Sequence, residues 1–351
     1  MVPRWMTLSK LAVSPSAVRI GGYRVRDSQW MVPAATLLAL QYGIAFAIAK
    51  SISFAIRPVS LPYMLIALLF TATAGLFFLL RRLWALWKEG EAAPLSRLQH
   101  ETDWIAVLTY ALGFQLFALQ IAALTWLKEL IPQISTYWAD PMLRTVERAI
   151  LTKDAWQFVP EPFVSPLDKL YAMWAPVKFF ALFAVLLRPA SDFKARAIFA
   201  YFLSVAVFGT VGQFALASGG PIFYDRILGG TEFAPLLQRL HEHAPMVEAT
   251  SNYLWQSYMT GESSIGGGIS AMPSMHVTTT TWTAMVISGF WPKLKWPVWT
   301  FWCVILIGSV GLGWHYALDG VVGTAGALLC WRISPYFVRP RVGQSSIEVA
   351  A

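Results

Sequence analysis

The sequence predicts an all-α fold, a polytopic membrane bundle of about eight transmembrane helices, on three observations. The chain is 56% hydrophobic and 13% charged, against about 25% charged residues in a soluble domain. Its apolar residues come in long runs matched to the hydrocarbon thickness of a bilayer. Its 17 tryptophans cluster near the ends of those runs, where interfacial anchors belong.

Eight runs can cross about 30 Å of hydrocarbon as helices. They cover residues 31–49, 61–80, 104–127, 170–187, 197–217, 274–291, 296–313 and 315–333, and the last three are short. The segment before the first, "MVPRWMTLSKLAVSPSAVRIGGYRVRDSQW", lacks the compact apolar core and small-residue cleavage site of a secretory signal, so it reads as a retained basic tail. Cys303 and Cys330 both fall inside expected spans, which does not support a disulfide framework.

Eight crossings put the tail, the loops after spans two, four and six, and the C-terminal segment on one face. That face holds 17 of the 27 Lys and Arg, including Arg81, Arg82, Arg188, Lys194, Arg196, Lys293, Lys295 and Arg332. The bias orients both termini to the cytoplasm and the opposite loops outward, an arrangement that fits a bacterial inner membrane with a periplasmic site. The net charge of +8 is spread over separate loops. It reads as anchoring to anionic lipid, not as a nucleic-acid surface.

No fixed-period repeat or low-complexity segment interrupts the chain. Residues 1–100 read as the tail plus two additional spans, 101–335 as the functional core, and 336–351 as a cytoplasmic tail. Two outer loops elaborate the core. In the first, residues 128–168, Met142, Val146, Ile150 and Leu151 recur at helical spacing with charged residues between them, which predicts a helix in the interface plane. It reads as a lid or packing collar. The second, residues 218–272, exceeds the usual length of a structureless connection and leads into "GGGISAMPSMHVTTTTW".

Of five histidines, two sit at the outer ends of spans. His276 lies in "AMPSMHV", where Pro273 suits a first helical turn and the backbone N–H groups of Ser274, Met275 and His276 would form a phosphate-binding helix start. His315 lies in "GLGWHYALDGVVG", with Asp319 four residues later. On a helix that spacing stacks the pair, so the carboxylate orients one imidazole nitrogen and leaves the other free as a nucleophile. The chain crosses inward from His276 and outward again to His315, which sets both at one depth. Ionisable groups inside spans are costly and mark function. Two His and one Asp without nearby Cys or Glu make a weak zinc site, so no metal or cofactor is expected. His241 and His243 in "HEHAP" read as strand neighbours pointing oppositely in a solvated loop. The four threonines Thr278 to Thr281 can bond their own helix carbonyls.

"PSMH" followed by "HYALDG" resembles the second and third signature motifs of the type 2 phosphatidic acid phosphatase superfamily, in the forms closest to the inositol-phosphorylceramide synthase-like branch. The resemblance is specific over Gly266 to Gly323. It implies a six-helix lipid phosphatase core built from the last six spans, with His315 as nucleophile, Asp319 as its orienting partner, His276 as general acid and Ser274 on phosphate. It also implies a phosphohistidine intermediate formed from a lipid phosphoester, either a phospholipid or a polyprenyl phosphate. Transfer to a ceramide or other lipid alcohol is mildly favoured over hydrolysis, and the partners are membrane lipids.

Two departures stand out. The superfamily's Lys-x6-Arg-Pro motif has only Lys178 with Arg188 and Pro189, at the wrong spacing and expected at the inner end of span four. The arginine six residues before the nucleophile is replaced by Ser309. Arg226 in "GGPIFYDR" is the candidate replacement cation, with Tyr224 and Asp225 as weaker candidates. From a different class, a transporter with a His276, His315 and Asp319 proton relay predicts ionisable groups at several depths.

Overall fold

The computed structural model describes residues 20–54, 60–261 and 263–338, the first seven of them by backbone alone. The expected basic tail up to residue 19 and the C-terminal segment from residue 339 lie outside the described residues. Sixteen α-helices and no strand appear among those described. They are α1 (Ile20–Ser51), α2 (Ser60–Lys88), α3 (Pro94–Glu101), α4 (Trp104–Ile134), α5 (Ala139–Leu151), α6 (Val164–Ala172), α7 (Trp174–Leu186) and α8 (Asp192–Ala206). After a π-helical turn, Val207–Gly212, come α9 (Gln213–Ala215), α10 (Pro221–Leu228), α11 (Ala234–His243), α12 (Pro245–Thr260), α13 (Met275–Phe290), α14 (Lys295–Gly311), α15 (Ala317–Ile333) and α16 (Pro335–Val338).

Seven helical stretches are long and apolar enough to cross a membrane, and the chain is an all-α polytopic bundle. The expected eighth, α13, has 16 residues and spans only about 24 Å at 1.5 Å per residue. It is sheathed by protein, with α7, α8, α14 and α15 packed around it. Each threonine hydroxyl from Thr278 to Thr281 donates to the carbonyl four residues back, at 2.7–2.8 Å. Two of those hydroxyls also accept indole N–H groups, Thr279 from Trp174 at 2.9 Å and Thr281 from Trp302 at 2.8 Å. The polar stripe therefore ties α13 to its neighbours without leaving a donor in hydrocarbon.

The most buried spanning stretch is α8 with its π-helical turn. It contacts α1, α13 and α15 and buries Trp282, Phe199 and Phe202 in one cluster. Gln120 donates to Gln41 at 2.8 Å and Gln41 to Thr210 at 2.9 Å, so α4, α1 and the π-helical turn share a buried polar chain. At the other end of α1, the Asp27 carboxylate lies 3.0 Å from the Lys194 ammonium and also accepts the Trp30 indole N–H at 2.9 Å. Both charged groups are essentially inaccessible. The two outer loops of the sequence reading carry α5, and α10 to α12, respectively. Cys303 and Cys330 are free thiols.

A buried charge left without its partner costs about 3–5 kcal/mol. Asp27→Asn should accordingly lower the thermal unfolding midpoint of the purified protein markedly. The double variant Asp27→Asn with Lys194→Met should regain most of the loss, as followed by calorimetry or tryptophan fluorescence.

Candidate active site

Three helix starts and two glycine-containing turns converge at one end of the bundle. Ser274 is the N-cap of α13, its hydroxyl accepting the Val277 N–H at 3.3 Å. Pro273 therefore precedes the cap and does not occupy the first helical turn. The Ser274 N–H donates to the Asp319 carbonyl at 3.1 Å, so one of the three amides expected to face a phosphate is instead a clasp between α13 and α15. Met275 and His276 remain as first-turn amides with no acceptor inside their own helix.

His315 stands in the turn before α15, not on the helix as the four-residue spacing suggested. Asp319 occupies the first turn of α15 and points back, its Oδ2 accepting the Tyr316 N–H at 3.0 Å. The same oxygen lies 3.4 Å from His315 Nδ1, an ion-pair distance slightly longer than a hydrogen bond. On the other side, His315 Nε2 meets His276 Nδ1 at 3.2 Å. The order Asp319, His315, His276 is thus a continuous line of titratable groups. The His315 N–H donates to the Ser309 carbonyl at 3.0 Å, which fixes the backbone of the turn. His315 and Asp319 are buried and His276 is half-buried.

The His276 ring is also packed from the side. Its centroid lies 4.2 Å from Trp174 and 5.1 Å from Tyr171, at the junction of α6 and α7. The Trp174 ring in turn carries the Lys178 ammonium at 3.9 Å. Lys178 therefore sits near the start of α7, at the imidazole end of the bundle, where the sequence had placed it at the inner end. Arg188 lies at the far end of α7, over the Phe290 and Trp291 rings, so Lys178 and Arg188 do not form a joint site.

The outer elements hold these turns from above. Asp140 at the start of α5 accepts the Ser218 hydroxyl at 2.7 Å, the Gly219 N–H at 2.7 Å and the Gly220 N–H at 3.0 Å. Gly220 has φ +84°, and a Cβ there would stand 2.4 Å from the Trp314 carbonyl oxygen, so only glycine lets this turn lie against the residue preceding His315. Glu147, two turns along α5, accepts the Ala317 N–H at 2.6 Å and the Ala155 N–H at 2.9 Å. It thereby caps the start of α15 from outside. Burial pushes both carboxyls up from their ordinary values, against the pull of the amides they accept. The helix expected in the interface plane is present, with Met142, Val146 and Ile150 exposed and Asp140, Leu143 and Glu147 buried.

Ser274 is fully buried in the clasp. Arg226 is exposed, donates to Asn252 at 2.9 Å and lies over the Trp255 ring. Tyr224 packs on Phe233, with the Arg144 guanidinium over its ring. Asp225 caps the Phe233 N–H at 2.9 Å. None of the last three is joined to either site histidine by any of the hydrogen bonds, ion pairs or ring contacts among the described residues. His241 and His243 lie on α11, not on a strand, and face Glu248 and Glu161. No group of three or more His, Cys, Asp or Glu suited to a metal occurs among the described residues.

Asp140, Glu147, Tyr171 and Trp174 escaped the sequence reading. The signal available for the first two was an acid opposite the apolar stripe of an amphipathic helix, a pattern that ordinarily marks a solvated face. Removing Glu147 tests its capping role. Glu147→Ala leaves two buried amides unpaired, at about 1–3 kcal/mol each, and should lower the unfolding midpoint and speed hydrogen exchange at the Ala317 amide. Glu147→Gln keeps one acceptor and should lose about half as much.

Comparison with known proteins follows the same turns. The PAP2 superfamily profile matches residues 150–333, just over half of the chain. No curated protein and no solved structure matches it. With its paired imidazoles, their aspartate and the clasp between them all inside the matched segment, the chain belongs to the PAP2 superfamily, a membership that supports a lipid phosphatase- or phosphotransferase-type function.

Proposed function

We propose that the chain is a membrane lipid phosphotransferase or phosphatase working through a phosphohistidine on His315. The observation that carries this reading is the line Asp319, His315, His276, with 3.4 Å and 3.2 Å between successive groups. A carboxylate beside Nδ1 keeps the proton on that nitrogen and the lone pair on Nε2, the tautomer a nucleophile needs. Attack by Nε2 forms the P–N bond as the P–O bond to the leaving alcohol breaks, and His276 delivers a proton to the departing oxygen. In the second half, water or a lipid hydroxyl gives its proton to His276 and attacks phosphorus, releasing His315. The developing imidazolium is stabilised by Asp319, whose pull tightens as positive charge forms.

The acceptor sets the difference between hydrolase and transferase. Likeness of "PSMH" and "HYALDG" to the inositol-phosphorylceramide synthase-like forms, with the phosphatase Lys-x6-Arg-Pro motif absent, favours transfer of a phospho-headgroup to a lipid alcohol such as a ceramide. Plain hydrolysis of a lipid or polyprenyl phosphate is the alternative. The Lys and Arg bias supports an extracytoplasmic site with both termini cytoplasmic. Exposed apolar residues on α5, Met142, Val146 and Ile150, support access from the plane of the membrane.

Purified protein incubated with labelled phospholipids, with and without a lipid alcohol, reads out the reaction. Free phosphate marks hydrolysis and a new phospholipid marks transfer. His315→Ala should abolish both and remove any acid-labile, base-stable phosphoenzyme. Asp319→Asn should lower kcat by about 10³–10⁴-fold, the scale seen when an imidazole loses its orienting carboxylate. His276→Ala should lower turnover by about 10²–10⁴-fold, with substrates bearing a better leaving group affected least. Full activity in His315→Ala sinks the mechanism.

A further inference from the structure

We propose that Lys128 and Lys178 are the phosphate-binding cations of this site, holding the non-bridging oxygens of the lipid phosphoryl group beside His276. The proposal rests on the phosphoryl-transfer reading and supplies the positive charge that the missing arginine motifs leave out. Lys178 is 7% exposed, and its ammonium rests on the Trp174 ring that also packs on His276. Lys128, near the end of α4, lies within electrostatic reach of His276, as does Lys178, and the two lysines are in reach of each other. The loop running into Ser274 presses on it, since a Cβ at Gly268, where φ is +83°, would stand 2.5 Å from Lys128 Cβ.

Neither ammonium has a carboxylate within ion-pair distance among the described residues. The adjacent Glu129 is turned to the Ser263 hydroxyl and the Ser264 N–H, and Asp319 is committed to His315 and the Tyr316 amide. Tyr171, whose ring flanks His276, keeps a buried hydroxyl with no hydrogen-bond partner. The two lysines repel each other, and with Lys178 buried and Lys128 half-buried the pair is costly to keep without a counter-charge. An entering phosphate supplies the counter-charge for both, and charge-assisted bonds to its oxygens are the strong kind. Lys128 precedes the matched segment 150–333, so the part of the chain outside it would complete the site.

The test uses the full-length protein, inorganic phosphate as probe, and diethyl pyrocarbonate modification of His276 and His315 followed by mass spectrometry. Phosphate should slow modification in the wild type. Lys178→Met and Lys128→Met should each need about 10- to 100-fold more phosphate for the same protection, the worth of one charge-assisted bond. Lys178→Arg and Lys128→Arg should retain most of it. Protection of both Met variants at wild-type phosphate concentrations overturns the proposal, as does no protection in the wild type. So does loss in the Arg variants equal to that in the Met variants, or a larger loss in Arg226→Met than in either lysine variant. Because the readout needs no turnover, it is independent of the radiolabel assay. A wild type that is protected by phosphate yet transfers none would reject the mechanism and keep the cation site.

Discussion

Every buried backbone amide at the end of the bundle must find an acceptor, and that requirement organises the site more than any other. A helix start inside an apolar wall leaves N–H groups that water cannot reach. Here the start of α15 and the Ser218 to Gly220 turn are satisfied by two carboxylates from a single outer helix, Glu147 and Asp140. Bonds donated by amides to carboxylates are strong and directional. They fix α15 against the outer collar, and so fix Asp319, which sits in the first turn of α15.

The second constraint runs between the two histidine-bearing segments. The Ser274 N–H to Asp319 carbonyl bond joins the cap of α13 to the first turn of α15, and a Cβ at Gly323 would stand 2.7 Å from the Ser274 carbonyl oxygen. The two helices therefore meet backbone to backbone, and the imidazoles of His276 on α13 and of His315 in the turn before α15 come to 3.2 Å as a consequence of main-chain geometry. Positioning by rigid elements is what a reaction needs when a small misplacement of the nucleophile costs orders of magnitude. The outer helix, expected as a lid or packing collar, braces these turns through Asp140 and Glu147, and its apolar residues Met142, Val146 and Ile150 are exposed.

How much of this was legible depends on the range of the interaction. Long apolar runs are a local property, so the bundle and most of its spans could be read from the chain, and the depth match of His276 and His315 followed from counting crossings. The motif residues were legible because their spacing is short. At α13 the apolar run extends into the flanking turns, so the helix itself is shorter than the expected span, and its threonines are buried by neighbours that composition does not reveal. His315 was placed on a helix because a four-residue spacing to Asp319 fits a helix and a capping turn equally well. Asp140 and Glu147 were missed for one reason: each accepts amides across a long sequence separation, with nothing local to mark it. An acid on an amphipathic helix is ordinarily solvated, and it takes the second outer loop against Asp140 and the start of α15 against Glu147 to turn these two inward.

The placement of charge points the same way. In a low-dielectric site an isolated ammonium is unfavourable, and a buried Lys178 with a half-buried Lys128 in electrostatic reach of His276, neither paired with a carboxylate among the described residues, leaves room for an anion to complete the balance. Glu129, next to Lys128 in the chain, is committed to a serine loop, and Asp319 to the turn that carries His315. Arg226, by contrast, has its partner in Asn252 and lies exposed to water, where a guanidinium gains little from a ligand it must compete with solvent to hold. A phosphate gains most from cations that water does not already screen, and by that criterion the buried lysine on α7, with the half-buried lysine on α4 in its reach, stands ahead of the exposed arginine on α10.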